Sequence, residues 1–544
     1  MLNYVWLALL ILGIGAAVTT DIINQSENKF KNGEPLQAVI HFNESYLQDK
    51  EKSYNASVEI NSADFNSVYS AGIKKNLIFP AKISVNKKEN RESIFFTVNN
   101  SFPEIWKEMA GASGGKEDLT GTVNIENFIN DSTASSLITL EKVSFLKLID
   151  VTNSALENAS TAVTISLGLI GIMALWLGVM KVAEKAGLIT IIASWLKPLT
   201  KRLFPDVPAD HPAMGSMIMN ISANMLGLGN AATPFGLKAM EDLDTLNPDK
   251  GTATNSMVTF LAINTAGMTL IPATAIAVRA AAGSSQPAVI IGTSLFGSFC
   301  ATAAGIMAAK TLEKFPVKRG EFVNWLKSNV KGFFIFFILI FLAALIFFTG
   351  FGRFFGSIFG FLSPALFKNL IQIFSTLAIP LLIIVFIGYG ALKKVRVYEE
   401  FVEGAKEGFN IAVKIIPYLV AMLMAIGIFR AGGAMDWLIY ILKPVTNLIG
   451  MPAEALPMAL MRPLSGSGSL GIMAEIISVH GPDSFIGILT STFFGSTETT
   501  FYVLAVYFGA INIRNTRHAV PAGLIADIAG ILGALFIVKQ LFGG

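Results

Sequence analysis

Asn220, Ser222, Asn224, Asn230 and Thr233 stand close together in the stretch NISANMLGLGNAATP, residues 220–234, with Gly227 and Gly229 between them. Amides and hydroxyls both donate and accept hydrogen bonds, so such a set suits an uncharged polar solute or a weakly held cation. Packing of helices through small residues is the competing reading, but Asn220, Asn224 and Asn230 are too large for such a seam. A second stretch, RPLSGSGSLG at residues 462–471, sets Arg462 ahead of Ser465, Ser467 and Ser469. Free N–H groups in a turn beside an arginine can hold an anionic group. Equally, Arg462 can cap the carbonyls of a broken helix or pair with an internal acid. The third candidate is Glu498 in FFGSTETTFY, residues 493–502, flanked by Thr497 and Thr499. An acid inside an apolar span costs at least ~2.5 kcal/mol on insertion scales, so it faces a partner or a cavity and marks an ion or proton path. A buried salt bridge, with Arg462 as the partner of the right type, competes with that role. Asp527 and Glu475 are weaker cases, because a place near a membrane interface would account for either.

These residues sit in a chain of 544 residues that is 53% hydrophobic and 15% charged, with a mean hydropathy of +0.58. Soluble domains carry about 25% charged residues, so most of this chain belongs in lipid. A net charge of +3 gives no reason to expect nucleic acid as a partner. The lone Cys300 excludes a disulfide or a thiolate metal site within one chain, and His41, His211, His480 and His518 are scattered. No metal, cofactor or catalytic constellation is expected, and an intramembrane enzyme is the least supported class.

The elements that must position the candidates follow from hydropathy. Residues 1–20 form one apolar run, long enough to span a bilayer, with a cleavable signal as the alternative. Residues 21–150 are polar and alternate like half-buried strands at 77–85, 93–98, 119–125 and 136–145, which predicts a small β-sandwich. Spans follow at 159–179, 256–278, 289–309, 333–348, 370–392, 411–429, 486–508 and 519–538. The Lys and Arg bias puts Lys181, Lys197, Lys201, Arg202, Lys310, Lys393 and Arg514 in the cytoplasm and the 21–150 insert outside it.

WLKPLTKRLF at 195–204 resembles ILKPVTNLIG at 441–450, and each is followed by a polar interruption and further spans. An odd number of spans separates the copies, so the second is inverted. The expected divisions are a first repeat at 151–320, connecting helices at 321–400 and a second repeat at 401–544. Inverted repeats with a broken helix in each place a binding site near the midplane, between the halves. Asn264, Thr265 and Thr269 occupy the first-repeat span that aligns with the span of Glu498, and they bring no acid.

LGLIGIMALWLGVMKVAEKAGL at 167–188 and NISANMLGLGNAATPFGLKAMEDL at 220–243 resemble spore maturation protein A, while MRPLSGSGSLGIMAE at 461–475 and FFGSTETTFYVLAVYFGA at 493–510 resemble spore maturation protein B. The chain is similar to a fusion of the two, each carrying the nucleoside-recognition or Gate domain, which also occurs in ferrous-iron transporters and is related to nucleoside transporters. The resemblance covers residues 1–20 and about 157 onward, and the insert departs from it. It implies an integral protein of the bacterial inner membrane, linked in spore formers to dehydration of the spore core, and supplies no substrate. The expected fold is an all-α polytopic membrane protein of two inverted Gate-type repeats with broken or re-entrant helices, plus the β-rich extracytoplasmic insert. The expected function is a transporter or permease for a small polar solute, nucleoside-like or other. Asn220, Ser222, Asn224, Asn230, Thr233, Asn264, Thr265, Arg462, Ser465, Ser467 and Ser469 are its candidate binding residues, with Glu498, Thr497 and Thr499 for ion or proton coupling. The alternative is a non-transporting scaffold in envelope or spore maturation. Expected partners are the lipid bilayer and a small polar solute or ion, with a homo-oligomer left open.

Overall fold

The computed structural model describes all residues except 1, 47–51, 87–90, 112–117, 228, 314–363 and 544, so the expected span at 333–348 lies outside the described residues. The chain forms two compact units, one of Trp6–Glu157 with Met424–Leu438, the other of Met1–Val5, Asn158–Leu423 and Ile439–Gly544.

The smaller unit takes in helix α1 (Leu2–Ser26) from Trp6 onward and continues into strands β1 (Leu36–Phe42), β2 (Ser53–Ile60), β3 (Leu77–Asn86), β4 (Arg91–Thr97), β5 (Asp118–Asn130) and β6 (Thr133–Leu140). Each strand pairs antiparallel with the next, and β1 pairs with β6, so the sheet closes into a barrel rather than forming the expected two-sheet sandwich. Period-2 alternation is common to both architectures; closure removes the exposed edges that a sandwich must protect. Helices α2 (Ser62–Tyr69) and α3 (Glu104–Gly111) bring Phe65 and Trp106 into the core, where both are fully buried. Trp106 packs on Phe79, Phe96 and Phe102, and Phe79 stacks on Phe102 at a centroid distance of 4.0 Å.

The chain enters and leaves the barrel through paired linkers. Asn32 donates to the carbonyl of Val143 and accepts from its N–H, both at 2.9 Å. Asp21, at 2% exposure, accepts the N–H groups of Lys147 at 2.9 Å and Leu148 at 3.0 Å. A helix leaves its first N–H groups without partners, and the carboxylate of Asp21 satisfies two of them at the start of α4 (Leu146–Lys185).

The larger unit continues through α5 (Leu188–Leu203), α6 (Pro212–Met225), α7 (Gly229–Thr245), α8 (Asn255–Ala266), α9 (Ala273–Ala281) and α10 (Ile290–Leu312). After α11 (Pro364–Leu392), the same order returns as α12 (Val397–Ala431), α13 (Ala434–Ile449), α14 (Leu456–Met461), α15 (Gly466–His480), α16 (Phe485–Ser496), α17 (Thr500–Ala510) and α18 (Ala519–Phe542). In each array a long helix precedes an amphipathic one with an internal proline (Pro198, Pro444), then two broken pairs and a final long helix. Five of the described helices are long and apolar enough to cross a membrane: Trp6–Ser26, Leu146–Lys185, Pro287–Leu312, Val397–Ala431 and Ala519–Phe542.

The breaks differ from the sequence expectation. Residues 256–278 and 486–508, read as continuous spans, each break in the middle. Gly267 ends α8 with φ +55°, and Pro272 precedes α9, whereas Thr497 and Thr499 are extended between α16 and α17. Conversely, the amide-rich stretch is mostly helical, with its break after Leu226. The Ser-Gly run is helical too: Ser465 caps α15 by accepting the N–H of Gly468 at 3.0 Å. Ser and Gly are poor interior residues, but Ser is a strong cap.

Candidate functional site

Broken backbone in an apolar surrounding must find hydrogen-bond partners within the protein, and the breaks find each other. The N–H of Leu270 donates to Met225 at 2.8 Å, joining the two breaks of the first array. The N–H of Phe501 donates to Pro463 at 3.1 Å, joining the equivalent breaks of the second. The N–H of Glu498 donates to the carbonyl of Thr265 at 2.8 Å, so the arrays cross at their breaks. This crossing is tight. A Cβ added to Gly267 would lie 3.0 Å from the Cβ of Glu498 and 3.1 Å from its amide nitrogen.

Arg462 lies behind the crossing, buried to 2% exposure. Its guanidinium donates to the carbonyl of Thr497, lies 3.7 Å from Glu498 Oε2 and stands over the ring of Phe494 at 4.5 Å. Arg462 thus holds a carbonyl freed by a break and faces an acid at once. The side chain of Glu498 is 51% exposed and reaches a cavity of about 250 Å³. Asn224, Gly227, Thr269, Phe494 and Thr497 also line the cavity, with Lys181 and Glu407 at its rim contributing an ion pair of 3.5 Å.

Asn224 is the open end of a buried amide chain. Its Nδ2 donates to Asn264 Oδ1 at 2.9 Å, and Asn264 donates to the carbonyl of Phe260 at 2.9 Å. Asn220 donates to the carbonyl of Ala232 at 2.9 Å and to the Tyr507 hydroxyl at 3.3 Å, and Tyr507 donates to Asn264 at 3.4 Å. The network links both arrays. Tyr507 was not among the sequence candidates, because nothing marks a tyrosine in an apolar run as polar-facing.

Asn224, Thr497 and Glu498 thus come together at the cavity, with Thr269 beside them, while Asn220, Asn264, Thr265, Thr499 and Arg462 are buried outside its lining. Ser222 and Ser469 donate back to their own helices, at 2.7 Å to Ile218 and 2.6 Å to Ser465, and Ser467 lies 3.4 Å from Ser465. Thr233 is half-buried in α7, and the side chain of Asn230 lies outside the described residues. Among the described residues, no group of three His, Cys, Asp or Glu is placed to hold a metal ion.

Two clasps join the loops of the arrays. Arg279, fully buried, donates to the carbonyls of Pro287 and Pro482 and pairs with Asp483 at 3.0 Å, tying the α9–α10 loop to the α15–α16 loop. Burial pushes the Asp483 carboxyl up, but hydrogen bonds from Ser284 and Ser285 and the charge of Arg279 outweigh it and hold the group below the usual carboxylate range. Arg517 donates to the carbonyl of Ala253 at 3.1 Å and to Asn255 at 2.8 Å, tying the α17–α18 loop to the α7–α8 loop. Beside this clasp lies a second cavity of about 510 Å³, lined by Asp206, Asn247, Asp249 and Arg517 among others. It is larger, but no helix break opens on it.

Comparison with known proteins covers both arrays. The family described as Gate, nucleoside recognition, matches residues 166–282 and again 412–514. Spore maturation protein B of Bacillus subtilis (strain 168) is 51% identical over 175 residues, 32% of this chain and 98% of that protein. Spore maturation protein A of the same organism is 47% identical over 172 residues, 32% of this chain and 88% of that protein. Inner membrane protein YjiG of Escherichia coli (strain K12) is 33% identical over 82 residues, 15% of this chain and 54% of that protein. No solved structure matches the chain. Each Gate match takes in the same run of elements, from within the long helix through both broken pairs.

Proposed function

This chain belongs to the Gate family of membrane proteins, with one half like spore maturation protein A and the other like spore maturation protein B, and from that premise we propose that it is a permease for a small polar solute. It is a multi-pass protein of the inner membrane. The solute sits between two inverted repeats, at the crossing of their breaks, and the positive-inside bias leaves the barrel on the extracytoplasmic side.

The observation that carries the reading is the cavity where Asn224 and Glu498, one from each array, meet beside broken backbone. Discontinuous helices crossing near mid-depth are the usual setting of transporter sites. The clasps support the inversion. Exchanging the arrays turns the α9–α10 and α15–α16 pair of loops into the α17–α18 and α7–α8 pair, which is also joined by an arginine. The family description, nucleoside recognition, makes a nucleoside the first solute to try.

The test is uptake into vesicles reconstituted with the full chain, using nucleosides, small dicarboxylic acids and divalent cations in turn. One class is expected to accumulate. Asn224→Ala lowers its apparent affinity roughly tenfold, the effect of a hydrogen bond worth ~1.4 kcal/mol, and Glu498→Gln abolishes accumulation. The reading fails if none of these solutes moves with the unmodified protein. A second reading, a scaffold acting through the barrel, is favoured by the firm tie of the barrel to α4 through Asp21. Deleting residues 36–140 separates the two: a permease keeps its uptake, whereas a scaffold loses its cellular role.

A further inference from the structure

Around the crossing lies a group of buried polar atoms left without partners among the described residues. Thr265 Oγ1, Thr497 Oγ1, Thr499 Oγ1, Arg462 Nε and Asp527 Oδ1 have no hydrogen-bond partner among the described residues. Asp527 is 1% exposed, in the middle of α18. Its other oxygen, Oδ2, accepts a single hydrogen bond, 2.6 Å from the Thr500 hydroxyl. The sequence makes this place. Gly523 and Gly530 lie on the same helix face as Asp527, and each admits a threonine where a side chain would stand. At Gly523, Thr500 and Thr265 lie within 3.4 Å of the position of a Cβ, and at Gly530 the methyl of Thr497 fills the space. The acid is thus walled in by the crossing segment.

The charged groups facing Asp527 are Arg462 and Glu498, both within electrostatic range of it. Helices α8 and α16, which pack on α18, carry no titratable side chain. Helix α10 carries Cys300, packed at Gly533, and Lys310 in its last turn. Helix α17 carries Tyr502, which is exposed, and Tyr507, whose hydroxyl is engaged with Asn220 and Asn264. One guanidinium therefore interacts with two carboxyls, 3.7 Å from Glu498 and at longer range with Asp527. It can neutralise one of them; a second carboxylate at this depth, with one oxygen unpaired, would be far costlier than a neutral acid.

We propose that Asp527 is a proton-binding site, neutral while Arg462 is paired with Glu498, and that loss of the Glu498 charge from Arg462 expels that proton. In the step, the O–H bond of Asp527 breaks, the proton passes to water, and the carboxylate left behind takes over the balance of the Arg462 charge. The link to transport rests on the permease reading: a solute that engages Glu498 would exchange for a proton. The proton site itself does not need a solute.

Infrared spectroscopy of the purified full chain in lipid nanodiscs tests it by the C=O stretch of a protonated carboxyl. The band is expected at neutral pH, lost in Asp527→Asn, and lost also in Glu498→Gln, where Asp527 must ionise to balance Arg462. Thr500→Val, which removes the one donor to Asp527, shifts the band to higher frequency without abolishing it, so the test stands even if Asp527→Asn fails to fold. The proposal is overturned if the band is absent from the unmodified protein, if it persists in Asp527→Asn, or if it survives in Glu498→Gln. Loss of the band on adding sodium at constant pH also overturns it, in favour of a metal cation. If the band behaves as expected while no solute is taken up, the permease reading fails and the proton site remains.

Discussion

Replacing Gly267 by alanine tests the crossing directly. At φ +55° the added Cβ meets the left-handed penalty of about 1–2 kcal/mol. It also lands 3.0 Å from the Cβ of Glu498 and 3.1 Å from its nitrogen, against backbone that cannot swing away like a flexible side chain. Relief requires the breaks to separate, which lengthens the 2.8 Å bond from Glu498 N to Thr265 O. Leaving that N–H unpaired adds about 1–3 kcal/mol. The sum is roughly 2–5 kcal/mol. Gly187→Ala is the control, because Gly187 has φ +86° but nothing within 4 Å of its Cβ position, so only the first penalty applies. Unfolding midpoints of the two variants in the same mixed micelles, with uptake measured alongside, give the comparison. Gly267→Ala is expected to lose about twice the stability of Gly187→Ala, and to lose uptake as well. Equal losses in the two variants would refute the close approach of the breaks.

Removing the Asp21 carboxylate leaves the Lys147 and Leu148 amides at the start of α4 without their acceptors. Asp21→Ala should cost about 0.5–2 kcal/mol, read as faster hydrogen exchange at those two amides while the barrel amides keep their protection. The α9–α10 clasp should weaken in acid. The folded Asp483 carboxyl titrates below its ordinary 3.8, so its contribution is complete above that pH and disappears as pH falls towards the folded value. Protection of the Ser285 amide, which donates to Asp483 Oδ2 at 2.8 Å, is therefore expected to drop below pH 3.8 once corrected for intrinsic exchange. Unchanged protection there would contradict the assignment.

The long apolar helices and the β-rich insert were legible because hydropathy and period-2 alternation are written residue by residue. The break inside 256–278 was not. Gly267 stands in a run hydrophobic enough to read as one span, and the contact its missing side chain permits is with Glu498, far along the chain. In the other direction, the Ser-Gly run at 465–469 read as irregular because of weak helix propensity, yet one capping bond from Ser465 turns it into the first turn of a helix. Closure of the barrel depends on β1 pairing with β6, a contact that alternation within a strand cannot encode. Asp527 is an acid in an apolar run like Glu498, but its burial became apparent only once the Gly523 and Gly530 face was seen to pack against the crossing.

The two halves bring unequal chemistry to one close steric contact. Each array offers one break to the crossing: Gly267 to Pro272 in the first, Thr497 to Thr499 in the second. The amide of Glu498 can reach the Thr265 carbonyl only if the residue opposite it has no side chain, since even a methyl group at 267 would meet the Glu498 backbone. The close backbone approach at one break therefore requires glycine at the other, whichever side chain position 498 carries. A second acid at that position would also set two carboxylates against one guanidinium at the crossing itself, where like charges are costly. The first array instead contributes amides from the next helix over, Asn220 and Asn224, held in register by Asn264 and Tyr507. Neutral donors and acceptors on one side and a single balanced charge on the other thus meet at one close contact between two broken helices.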